Sequence, residues 1–242
     1  MIYDKINALI KHGVVTPELA HKAIDSDVDK LDDQKIYALH KAKVLGDDHY
    51  QKIADSDLRG RGMLHHIFSE APLTPKLVKS VMHHPEASQR EIRDLTSNDS
   101  LPKESFYPLM KHLLNTDDAY GLNIMSLNHR DKFEPRHVEE LHAAYPDSAQ
   151  FGHIYASTKG LKPDTYMKLA SRLKKGSTPA ARALASNPSL TPAAAMELSD
   201  HIHPLVHHAL IGNTSLPGKV RDDIAAKAGL DDMDREILGI GK

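Results

Sequence analysis

Residues 186–192 read SNPSLTP, and this phrase returns along the chain with its spacing nearly held. Related copies are SEAPLTP at 69–75, SNDSLP at 97–102, STKGLKP at 157–163 and GNTSLP at 212–217, with looser ones at Gly13–Pro17 and Asp131–Pro135. The closing prolines Pro75, Pro102, Pro135, Pro163, Pro192 and Pro217 stand 27, 33, 28, 29 and 25 residues apart. A period of that length marks stacked structural repeats, each too small to bury its own apolar face.

Each position of the phrase has a physical meaning. Proline suits the first turn of a helix, where its missing N–H has no intrahelical partner to lose. Thr16, Thr74 and Thr191 precede their prolines and are placed to cap the free N–H groups of that turn. Val15, Leu73, Leu101, Phe133, Leu161, Leu190 and Leu216 sit where an apolar side chain folds back onto the following helix. The pairs Ser97–Asn98, Ser186–Asn187 and Gly212–Asn213 mark the end of the preceding helix.

Beyond each proline the apolar residues recur at helical spacing. These are Val78, Val81 and Met82; Phe106 and Leu109; Val138 and Leu141; Tyr166, Leu169 and Ala170; Met196 and Leu198; Val220 and Ile224. A second helix is expected inside each unit, starting at Pro85, Pro146, Pro179 or Pro204, with Thr116–Asp117–Asp118 supplying the cap after Pro102. Its core residues are Ile92 and Leu95, Leu122 and Met125, Ile154 and Tyr155, Leu184, and Val206 with Leu210. In the less regular first third, a unit starts at Pro17, a longer helix is expected over 31–45, and Gly46–Asp47–Asp48 opens the next unit.

These patterns predict an all-α, right-handed solenoid of about seven two-helix repeats. It forms a single domain over 1–242, with a capping helix at 1–12, irregular repeats at 13–69, regular repeats at 70–228 and a C-terminal cap at 229–242.

The stretch 176–228 resembles the leucine-rich variant repeats of bacterial proteins, most closely at Asn187–Pro188 and Thr191–Pro192 with Met196 and Leu198. The resemblance implies short helices wound into a superhelix akin to HEAT arrays, and it spans about 70–228. The chain departs from it at Pro102, which lacks a preceding threonine, and in the long unit before Pro135. It also lacks the cysteine cluster of one such protein, so no iron–sulfur role carries over. The resemblance implies a binding surface and no catalytic residue.

Charged residues make up 26% of the chain and the net charge is −2, which argues against a dedicated nucleic-acid binder. There is no cysteine, hence no disulfide framework and no thiolate site, in keeping with a reducing cytosol. Charges at Asp4, Lys5 and Lys11 interrupt the first residues, so the expectation is a soluble, cytoplasmic protein without a membrane span.

Seventeen histidines are the main oddity. The densest run is HIHPLVHH at 201–208, whose imidazole spacing suits metal or a pH-sensitive surface. Pro204 divides its pairs, however, and no acid or thiol completes a ligand set, so no metal and no cofactor is expected. Between 159 and 182 seven positive charges face Asp164 alone. Lys168, Arg172, Lys174, Lys175 and Arg182 are the candidate partner-binding residues. Phosphate loops, dinucleotide fingerprints, nucleophile elbows and paired-histidine zinc motifs are missing, so no catalytic residue is assigned. The leading expectation is a non-enzymatic protein-interaction scaffold or adaptor. The alternative is a nucleic-acid-associated factor holding a phosphate backbone along 159–182.

Overall fold

The computed structural model describes residues 8–9, 12–13, 15–56 and 64–229. The expected terminal helices at 1–12 and 229–242 therefore lie largely outside the described residues. Within them the fold is all-α, with two short 3₁₀ turns and no strand. The chain forms two compact units, residues 1–132 and 133–242.

The first unit holds α1 (Pro17–Asp27), α2 (Asp33–Lys41), α3 (Asp47–Ala54), α4 (Leu64–Glu70), α5 (Pro75–His83), α6 (Gln89–Ser97), α7 (Lys103–Asn115) and α8 (Ala119–Asn128). Helices two apart in sequence pack together, so α1, α3, α5 and α7 make one row and α2, α4, α6 and α8 another. The second unit holds α9 (Pro135–Ala144), α10 (Gly152–Ser157), α11 (Pro163–Leu173), α12 (Thr178–Ala185), α13 (Pro192–Leu198), α14 (Pro204–Ile211) and α15 (Gly218–Lys227). Here α11, α13 and α15 form one row and α10, α12 and α14 the other. Helices of this length are marginal alone, and burial against neighbours in a row is what holds them.

The local chemistry follows the repeated phrase. The hydroxyls of Thr16, Thr74 and Thr191 accept the N–H groups of Leu19, Leu77 and Ala194, each at 3.2 Å. Pro17, Pro75, Pro135, Pro163 and Pro192 each occupy the first helical position. Pro102 and Pro217, which lack a preceding threonine, stand one place earlier, as the cap itself. Where Lys162 offers no side-chain cap, Glu139 of α9 reaches over, accepting from Lys162 N–H and from the Thr165 hydroxyl, both at 2.7 Å. The stapling residues Leu73, Leu101, Phe133, Leu161, Leu190 and Leu216 are all buried, while Val15 is half-exposed. Among the helix-face residues Met196 and Val220 are half-buried, and the other expected ones are core.

Two of the prolines expected to open a helix do not. Pro85 and Pro146 lie in turns, and their helices begin later, at Gln89 and Gly152. Ser88 explains the first case, because its hydroxyl and the Glu91 carboxylate form a capping box that sets the start of α6. The helix expected over 31–45 is shorter, running from the Asp32 cap to Lys41 and closing on a left-handed residue, Lys43.

The asparagines of the phrase do more than mark helix ends. Asn98, Asn187 and Asn213 are buried, and each side-chain amide donates two hydrogen bonds to backbone carbonyls one repeat earlier. Asn98 reaches Phe68 and Ala71 at 2.8 and 2.7 Å; Asn187 reaches Ala156 and Thr158 at 2.9 and 2.7 Å; Asn213 reaches Ala185 and Asn187 at 2.9 Å each. Each Oδ1 accepts the N–H two residues on, at Ser100, Ser189 and Ser215. The result is a ladder of buried amides with every donor used, where an unmatched one would be costly. His129 stands at the rung 31 residues after Asn98. It is buried, and its Nε2 has no hydrogen-bond partner.

Candidate functional site

The basic segment divides into structural and free cations. Lys168 and Arg172 are one turn apart on α11. The Arg172 guanidinium donates to the Pro146 carbonyl and lies 5.8 Å from the centre of the Tyr155 ring. Lys174 pairs with Glu197 of α13 at 2.7 Å. Lys168, Lys175 and Arg182 are exposed and, among the described residues, meet no carboxylate. Two of the five expected contact residues thus tie helices together, and three project a free positive charge. Beside them Asp147, His153, Arg172 and Ser177 line an open cavity of about 280 Å³. His142 on α9 is held neutral because burial, helped by Arg172 and Lys168, pushes its imidazole below the ordinary value; Glu139 and Asp147 oppose the shift.

Five histidines accept backbone N–H groups at turns and helix starts. Nδ1 of His201 accepts His203 N–H at 3.0 Å, and Nδ1 of His203 accepts Leu205 N–H at 3.2 Å at the start of α14. His207 bonds elsewhere, from Nε2 to the Ser199 carbonyl at 3.0 Å. The same acceptor role recurs at His49, His84 and His137, toward Gly46, Glu86 and Glu134 N–H groups. An imidazole can accept through Nδ1 only while that nitrogen is unprotonated.

Among the described residues one set of side chains, His21, Asp25 and His49, brings its ligand atoms within 4.8 Å of one another. Its hydrogen bonds disfavour a metal. Nδ1 of His49 accepts Gly46 N–H at 3.0 Å, so its proton sits on Nε2 and is donated to His21 Nδ1 at 2.9 Å. An ion on Nε2 would push that proton to Nδ1, against the Gly46 N–H, and Asp25 is already paired with Lys52.

A second polar cluster escapes local sequence reading. His40 at the end of α2 is buried between Tyr50 of α3 and Glu70 of α4. The Tyr50 hydroxyl lies 3.0 Å from His40 Nδ1, and His40 Nε2 lies 3.3 Å from a Glu70 oxygen. The Glu70 carboxylate can only accept, so the neutral ring carries its proton on Nε2 and its Nδ1 accepts from the Tyr50 hydroxyl, which burial keeps protonated by raising it above its ordinary value. Lys41 holds both Glu70 oxygens, at 2.9 and 2.6 Å. The cluster borders an open cleft of about 350 Å³. Its members stand 10 and 30 residues from His40, outside any short motif.

An apolar groove of about 270 Å³ runs between α5 and α7, walled by Pro75, Val78, Met82 and Pro108 and edged by Lys79 and Glu104. Pro108 lies within α7 and has no N–H to offer the Glu104 carbonyl. No family model, no curated protein and no solved structure matches the chain. Among the described residues no helix is long and apolar enough to cross a membrane.

Proposed function

We propose that the protein is a non-enzymatic interaction module, a scaffold or adaptor that presents the surface of a right-handed helical solenoid of about seven two-helix repeats to another protein. The repeat reading is supported by the row packing and by the buried asparagines, which recur in both units. The observation that carries the binding claim is the groove between α5 and α7, where exposed Pro75 and Pro108 stand over a floor of buried Val78 and Met82 and suit apolar side chains of a partner. A nucleic-acid backbone would seek cations instead, and Lys168, Lys175 and Arg182 support that second reading, with the phosphate chain along 159–182.

The deciding experiment is a pull-down from native lysate with and without nuclease, using the natural chain and the triple reversal K168E/K175E/R182E. The proposal expects a stoichiometric protein that survives nuclease, resists moderate salt and is retained by the triple variant. Loss of all captured material on nuclease treatment, together with failure of the triple variant, would transfer the function to nucleic acid.

A further inference from the structure

Among the described residues a positive φ occurs at Gly13, Gly160, Gly229, Asp117 and Lys43. Glycine meets no steric penalty there, and aspartate is one of the residues that tolerates it. Lys43, at φ 57°, carries the left-handed penalty that glycine avoids; a cation suits this helix end, but His40 and Lys41 already stand in the last turn. Lys43 ends α2 in a Schellman arrangement, with its own N–H on the His40 carbonyl at 2.8 Å and Val44 N–H on the Leu39 carbonyl at 3.4 Å. Glycine is the residue best suited to that place. A lysine held there calls for a reason outside the backbone.

The reason lies in the cleft that Lys43 borders. Its other lining residues are His40, Lys41, Leu45, Tyr50, Glu70 and Pro72. Glu70 is the carboxylate of the cleft, and its oxygens already accept from Lys41 and His40. Among the described residues no acid pairs with Lys43, whose side chain is exposed. The cleft therefore carries one uncompensated positive charge at its rim, while Leu45 and Pro72 give it an apolar side. Its size, about 350 Å³, is at the small end of ligand cavities.

We propose that this cleft binds a small organic oxyanion, a carboxylate or a phosphate monoester, whose charged end meets Lys43 and whose apolar body lies against Leu45 and Pro72. Glu70 has two roles in this site. It fixes the His40 and Tyr50 walls through their hydrogen bonds, and its charge holds oxyanion affinity down. The proposal does not depend on the interaction module and survives if that reading fails.

Calorimetric titration of the full chain with phenyl phosphate and benzoate, at constant ionic strength, tests it. Either probe should bind more tightly than inorganic phosphate or acetate, and the preferred one identifies the class of head group. Lys43→Gly should weaken binding about tenfold or more while raising Tm by about 2–4 °C, because glycine relieves the left-handed position. Glu70→Gln should strengthen binding several-fold in protein shown to be folded. The inference is overturned if neither probe binds the natural chain, if K43G binds equally well, or if K43G lowers Tm, since the lysine would then serve the fold.

Discussion

Asn187→Ala probes the feature that links one repeat to the next. The side chain is 3% exposed and makes three hydrogen bonds: two donated to Ala156 and Thr158 carbonyls and one accepted from Ser189 N–H. At a net value of about 1 kcal/mol each, truncation costs about 3 kcal/mol, before any penalty for the emptied space. Asn187→Asp keeps the shape but replaces both donors with an oxygen that faces two carbonyls at 2.9 and 2.7 Å. At pH 7 it buries an unpaired charge and should cost more than the alanine. Urea unfolding followed by circular dichroism reads both, with exposed Asn115→Ala as a control expected within about 0.5 kcal/mol of the natural chain. Acidification should narrow the gap between the aspartate and alanine variants, because a protonated carboxyl regains one donor. A loss below about 1 kcal/mol for Asn187→Ala, or an aspartate no worse than alanine, would refute the ladder as a source of stability.

Three further outcomes are expected. Burial holds the His129 imidazole below its ordinary value, helped by Lys132 and opposed by Asp131, Asp99 and the Thr96 carbonyl. The native ring is neutral, so its contribution is present above the unfolded value of about 6.5 and is lost as pH falls below it. His129→Asn should restore the rung, flatten that acid limb and raise stability by about 1 kcal/mol at pH 6, read by thermal melts across pH. Asp94 has the opposite sign: burial raises its carboxyl to about 7, with Glu91 assisting and Arg90 opposing, and one oxygen lacks a partner. The folded state then binds the extra proton between about 4 and 7, so Asp94→Asn should stabilise by at least about 1 kcal/mol at pH 8 and have little effect at pH 4. A Cβ at Gly121 would lie 2.8 Å from Leu113 Cδ2 and 3.0 Å from an Asp118 oxygen. Gly121→Ala should therefore lower Tm despite a helix-propensity gain of about 1 kcal/mol, and a rise would show that α7 and α8 have slack there.

Much of the architecture was legible because its signals are local. Threonine before proline caps a helix whatever lies beyond it, and Thr16, Thr74 and Thr191 do so. Pro85 and Pro146 misled because proline also suits turns, and at α6 the stronger capping box of Ser88 and Glu91 lies downstream. Arg172 and Lys174 read as surface charge, since sequence does not show that the Pro146 carbonyl and Glu197 are within reach. The histidine run was read without a metal, but sequence did not show that the Nδ1 atoms of His201 and His203 accept backbone N–H groups.

The sequence by itself determined that one phrase recurs along the chain, that the segments between its copies are helical, and most of the side chains that face inward. Those properties follow from spacing of a few residues, within the reach of one helix turn and one cap. Only the tertiary structure decided that Asn98, Asn187 and Asn213 bind carbonyls of the preceding repeat, and that His40, Tyr50 and Glu70 meet beside Lys43. Their partners stand 10 to 31 residues away, brought close by helices packing two apart, and no local pattern encodes a contact made at that distance.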